Sequence, residues 1–150
     1  MVDVMTTNIE GTDNTMKKQT NNYCTLITQL WLKYHQEYTF IFDNCECAYC
    51  YLQDKEIHFP LSDFKNPDSR AVFDLLHEIG HLKTNKKGMK RCEEEYYATQ
   101  WAIKEMKKYH LELHPVDKDI FQHYIWKWRE TGMKLKGKNM PSKQQLTLVW

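Results

Sequence analysis

The stretch that decides the reading runs from Asp68 to Leu82, DSRAVFDLLHEIGHL, and its centre is His77-Glu78-Ile79-Gly80-His81. Val72, Phe73, Leu76 and Ile79 recur at three- and four-residue steps, which predicts an amphipathic helix with Asp68 or Ser69 as its N-cap. Four residues of helix bring His77 and His81 onto one face a turn apart, so two imidazoles can meet one cation from a single rigid element. Glu78 falls on the adjoining edge of that face, where a carboxylate reaches a metal-bound water without ligating the ion itself. The spacing makes His77 and His81 metal ligands and Glu78 a general base.

A catalytic zinc site of this kind takes a third protein ligand and keeps one position open. A basic connector, Lys83 to Arg91 with Gly88 as its turn residue, leads into a second helix expected from about Cys92 to Tyr109. Glu93, Glu94 and Glu95 stand at its start. Glu95 shares a helical face with Ala98, Thr99, Ala102 and Met106, small residues that let this helix press against the first, whereas Glu93 and Glu94 look partly outward. Glu95 is therefore the third ligand of choice. Gly80 likewise removes a side chain where something must approach. With Zn2+ held by His77, His81 and Glu95, bound water would approach neutral pKa and Glu78 could take its proton, so amide hydrolysis leads the reaction classes. Mn2+ also suits two imidazoles and a carboxylate.

The remainder frames one small domain. The chain has 150 residues, 41% hydrophobic and 27% charged, and a formal net charge of +1, a balance without an overall field for nucleic acid or membrane. Residues 1–16, rich in Thr, Asn and Asp, read as a flexible leader without a secretory signal pattern, which gives a cytoplasmic expectation. A helix is expected from Thr20 to Tyr38. Two short strands, Tyr49 to Leu52 and Glu56 to Phe59, should flank a polar turn at Gln53, Asp54 and Lys55. A third large helix is expected from about Val116 to Glu130 after Pro115. The domain proper is read as residues 17–132, followed by a Lys-rich tail, 133–150, whose apolar end (Leu146, Leu148, Val149, Trp150) should dock on the body. The fold class is α+β: a short antiparallel or mixed sheet packed on the active-site helix, with three further helices.

These residues resemble the ImmA/IrrE family of metallopeptidases, zincins with an H-E-x-x-H motif and a distal Glu. The likeness rests on His77-Glu78-Ile79-Gly80-His81 and on Glu95-Tyr96-Tyr97-Ala98-Thr99-Gln100-Trp101-Ala102, and spans residues 20 to 130 in element order. It implies a zincin-like fold, zinc on the two histidines and Glu95, and cleavage of a helix-turn-helix repressor of a phage or mobile element. The partner expected is thus a protein, a transcriptional regulator, with no direct contact to nucleic acid or membrane. Thr99 stands where the family commonly has Asn or Asp, and Trp101 where it has Phe. The alternative is a catalytically silent, zinc-stabilised binding protein that sequesters a regulator or host defence protein.

His58, Tyr96 and Tyr97 are candidate substrate or oxyanion contacts, weighed against an exposed strand histidine and helical packing tyrosines. Cys45, Cys47 and Cys50 lack the partner pair of a zinc cluster, so structural thiols are expected. An extended substrate would add along the sheet edge, at Tyr49 to Leu52 or Glu56 to Phe59.

Overall fold

The computed structural model describes residues 22–136 and 139–150. The expected leader lies outside them. Residues 22–34 form α1, which buries Leu26, Ile27, Leu30 and Tyr34. This helix stops four residues short of the expected Tyr38. The amides of Glu37 and Tyr38 turn back onto the Tyr34 carbonyl, at 3.0 and 2.9 Å, and release the chain into an extended segment.

That segment, β1 (Thr39–Asp43), is a strand the sequence reading did not separate out. It lies parallel to β3 (Glu56–Pro60), with Ile41 opposite His58, while β2 (Tyr49–Tyr51) pairs antiparallel to β3. The sheet is therefore mixed, in the order β1-β3-β2. Five residues alternating on a half-buried surface carry little periodic signal, and the pairing of β1 depends on a partner 17 positions away. The β2–β3 hairpin was legible because its polar turn was local; Lys55 closes it at φ 51°.

Ile57 and Phe59 face the core, and the intervening His58 faces the other side, as the twofold alternation of a strand demands. A five-residue helical turn, α2 (Leu61–Lys65), occupies what the paired prolines marked as loop, and its Phe64 packs on Phe42 with ring centroids 5.0 Å apart. The helix α3 (Ser69–Thr84) starts at Asp68, whose carboxylate accepts the Ala71 amide at 2.8 Å. It buries Val72, Phe73, Leu75, Leu76 and Ile79 completely. A second long helix, α4 (Arg91–Lys108), packs along α3.

The two helices come close at Gly80. A Cβ built there would stand 2.6 Å from the Ala98 carbonyl oxygen and 3.1 Å from the Ala98 Cα, both backbone atoms of α4. In an open helix Gly to Ala gains about 1 kcal/mol. Here the helices must separate, and overpacking of this kind costs about 1–3 kcal/mol, enough to reverse the sign. Gly80→Ala should lower the urea-unfolding free energy by about 2 kcal/mol; a variant as stable as wild type would show that the α3–α4 spacing is not set there.

The helix α5 (Pro115–Lys136) begins at Pro115, suited to a first helical turn, and extends beyond the expected Glu130. Residues 139–150 then lie on the body. Gln122 on α5 donates to the Leu146 carbonyl (2.9 Å) and accepts from the Leu148 amide (2.7 Å). Gln100 on α4 brackets Val149 in the same two-handed way. Leu146 and Leu148 are buried, and Trp150 lies 5.9 Å from Phe73. The result is a small α+β fold in which a three-stranded mixed sheet packs against helices, one of them carrying the His-Glu-x-x-His sequence. No described helix is long and apolar enough to cross a membrane.

Candidate metal centre

Helical spacing on α3 places His77 and His81 together, and α4 brings Glu95 against them. All three are buried, Glu95 to 2% exposure. The Nε2 atoms of the two histidines are 3.1 Å apart; Glu95 Oε2 is 3.0 Å from His77 Nε2, and Oε1 is 3.4 Å from His81 Nε2. Ligand atoms about 2.0 Å from a tetrahedral zinc lie about 3.3 Å from one another, so the three side chains fit that ion with only small adjustment. Two nitrogens and one anionic oxygen are also the right chemical set for it. Glu78 completes the group: one ligand atom each of His77, Glu78 and His81 lies within 4.8 Å of the other two. Two carboxylates thus border the point, Glu95 at 3.0 and 3.4 Å from the imidazole nitrogens and Glu78 within 4.8 Å of both histidines.

The electrostatics follow from crowding these groups out of water. Burial opposes ionisation of Glu95, but the hydrogen bonds and charges of His77 and His81 prevail and hold its carboxyl well below the usual range. Burial also opposes a charge on His77, yet Glu95, Glu78 and Asp74 together raise its pKa. Proton and divalent cation therefore compete for the same point between Nε2 and Glu95. Burial pushes Glu78 up, with the two histidines pulling the other way, so its carboxylate accepts a proton more readily than a solvated one.

The orientation of His77 has a specific cause. Thr99 is almost fully buried, and its single hydroxyl proton goes to the Glu95 carbonyl at 2.7 Å. Its oxygen then accepts from His77 Nδ1–H at 3.1 Å, which leaves the Nε2 lone pair of the neutral ring aimed at the centre. Thr99 thus supports His77 directly as well as the backbone of Glu95. Thr99→Val keeps the shape and removes the acceptor; Zn2+ affinity, read by competition with a chromophoric chelator, should fall about ten-fold or more. An unchanged affinity would leave the ring held by packing alone.

The centre opens into a cleft of about 480 Å3. One wall is β2 with the residues just before it, Cys47, Ala48, Tyr49 and Cys50; the other is α5, with Ile120, Phe121 and Tyr124. Arg70 ties the α5 wall to α3 by pairing with Asp74 at 2.9 Å and Asp117 at 2.8 Å. The Cys50 side chain hydrogen-bonds Glu78, and burial first and Glu78 second push its thiol far above the usual range. That thiol is a donor to the carboxylate rather than a nucleophile.

Three candidates from the sequence stand elsewhere. His58 is on the opposite face of the sheet, between Asp43 Oδ2 (2.8 Å) and Glu56 Oε1 (2.5 Å), and stacked on Tyr49 at 4.4 Å. Its two nitrogens are already engaged, and its register position turns it from the cleft. Tyr96 and Tyr97 lie on the outer face of α4, bordering a groove with Met140 and Pro141. None of the three lines the cleft, because side-chain direction along α4 and β3 carries them past it. The strand Glu56–Phe59 is also unavailable to an added peptide: β3 is central and has both edges paired, which leaves β2. All five cysteines are free thiols, and among the described residues the cluster of three or more metal-binding side chains contains none of them.

Sequence reasoning missed Arg91, Cys50 and Tyr124 as members of the site, and reached Thr99 only as a neighbour of Glu95 and a departure from the family pattern, without its bond to His77. Arg91 could have been found, since it stands four residues before Glu95 on the same helical face. Tyr124 could not, because only tertiary packing brings α5 across the cleft. Comparison with models of known protein families, with curated proteins and with solved structures finds no match for this chain, so the His-Glu-x-x-His motif, the distal Glu and their geometry carry the assignment to a zincin-like metal site.

Proposed function

We propose that this chain is a zinc-dependent endopeptidase of the ImmA/IrrE type that cleaves a regulatory protein, a helix-turn-helix repressor of a phage or mobile element. The observation that carries the reading is the convergence of His77, His81 and Glu95 on one point, with Glu78 beside it, at the bottom of a cleft that runs along a strand edge. A structural zinc site would be closed by a fourth side chain; this one faces open space.

His77, His81 and Glu95 would hold Zn2+, or Mn2+ in its place. The ion would supply Lewis acidity and a water of near-neutral pKa. Glu78 would take the proton of an attacking water and return it to the departing amine. The outer edge of β2 supplies backbone donors and acceptors that align an extended segment. Cys50 keeps the Glu78 carboxylate directed into the cleft. Ile120 and Phe121 exclude water from the substrate's far side.

A substrate of this class must present a flexible stretch, because a helix cannot pair with a strand edge. The test is incubation of the purified, Zn2+-loaded chain with helix-turn-helix regulators. Discrete cleavage that stops on addition of a chelator is the expected result. An unchanged partner that nonetheless co-purifies stoichiometrically would favour the sequestering alternative.

A further inference from the structure

Arg91 is the one cation of the basic connector that reaches the metal centre. Its Nη2 lies 2.7 Å from Glu95 Oε1, and its side chain is about half exposed at the cleft lining. The same guanidinium sits over the Trp128 ring at 5.2 Å and hydrogen-bonds the Tyr124 hydroxyl. Tyr124 and Trp128 are one turn apart on α5 and meet edge to face, 6.2 Å between centroids. An arginine from α4 is thus clamped by two aromatic side chains of α5 while its fork is held to the buried carboxylate.

The two oxygens of Glu95 are consequently unequal. Oε2 faces His77 at 3.0 Å, whereas Oε1 is shared between Arg91 at 2.7 Å and His81 at 3.4 Å. A carboxylate left to itself can present both oxygens to one cation and so fill, beside the water, the fifth corner that a substrate carbonyl requires. A guanidinium paired with one oxygen at 2.7 Å draws on its charge and holds its direction.

We propose that Arg91 is a positioning residue that reserves Glu95 Oε1, confining the glutamate to one-oxygen ligation through Oε2 and so keeping a coordination corner open. The role calls for arginine. A lysine ammonium is a point charge without the planar fork that can lie on Trp128 and reach Oε1 together. The position follows from helix geometry, since residues four apart on α4 share a face. This inference rests on the metal-site reading given above and adds to it the device that would keep the site catalytic.

The experiment is Co2+ titration of the metal-free chain, wild type against Arg91→Met, followed by the visible d–d bands. Four-coordinate Co2+ absorbs several-fold more strongly than five-coordinate Co2+, so the bands report the coordination number without any turnover. Wild type should give strong bands, and Arg91→Met bands several-fold weaker at the same metal stoichiometry. Arg91→Lys keeps the charge and serves if Arg91→Met fails to fold; its bands should weaken in the same direction. Equal spectra in wild type and folded variants, or weak five-coordinate bands already in wild type, would overturn the role of Arg91. A wild-type chain that takes up no Co2+ would overturn the metal-site reading itself, and this inference with it.

Discussion

Replacement of Glu78 by Gln is expected to slow peptide cleavage by about a thousand-fold, within the range that general acid–base catalysis contributes, while Zn2+ content stays near that of wild type. The amide keeps the volume and the contact with Cys50 but accepts no proton. Folding should be little affected, because Glu78 borders the cleft and is held by one side-chain partner from β2. The measurement pairs single-turnover cleavage of a confirmed substrate with metal analysis. A variant that cleaves at the native rate would remove Glu78 from the mechanism. Loss of cleavage with full biological effect would instead point to sequestration of the partner.

Glu95→Ala should be the most damaging change to the protein itself. It removes a ligand, and even the loss of an outer-shell partner weakens metal binding 10–100-fold, so a fall in Zn2+ affinity beyond about a hundred-fold is expected. It also strands His77 and Arg91, which now meet a carboxylate buried to 2% exposure. Breaking one side of a buried ionic group costs about 3–5 kcal/mol; Arg91 can turn to solvent, which places the expected loss near the lower limit, about 3 kcal/mol. Urea unfolding of the metal-free protein isolates that part, and Glu95→Gln, which keeps the volume, separates charge from cavity. Wild-type metal affinity in either variant would mean that another side chain completes the site.

These two residues differ in how they became visible. Glu78 is part of a five-residue motif inside one helix, so its relation to the histidines is determined by 1.5 Å of rise and 100° of turn per residue. Glu95 was inferred from small residues on its own helix, and its contact with His77 depends on α4 lying against α3 at Gly80 and Ala98. The supporting residues were further from reach. Thr99 was noted as a departure from a family pattern, yet its bond to Nδ1 of His77 spans 22 positions. His58, Tyr96 and Tyr97 had suitable chemistry and unsuitable directions, because the sequence does not state which face of β3 or α4 meets the cleft.

Local order thus determined the helix of the motif, its start at Asp68 or Ser69, the β2–β3 hairpin and the chemical identity of the site, since each depends on neighbours within a few residues. Tertiary structure alone decided the parallel pairing of β1 with β3, the α5 wall with Tyr124 and Trp128, the seat of Leu146, Leu148 and Trp150, and the hold of Arg91 on Glu95. Those contacts join residues that are distant along the chain, or depend on a rotation of one element against another, and are chosen by close packing of the whole core rather than by any local pattern.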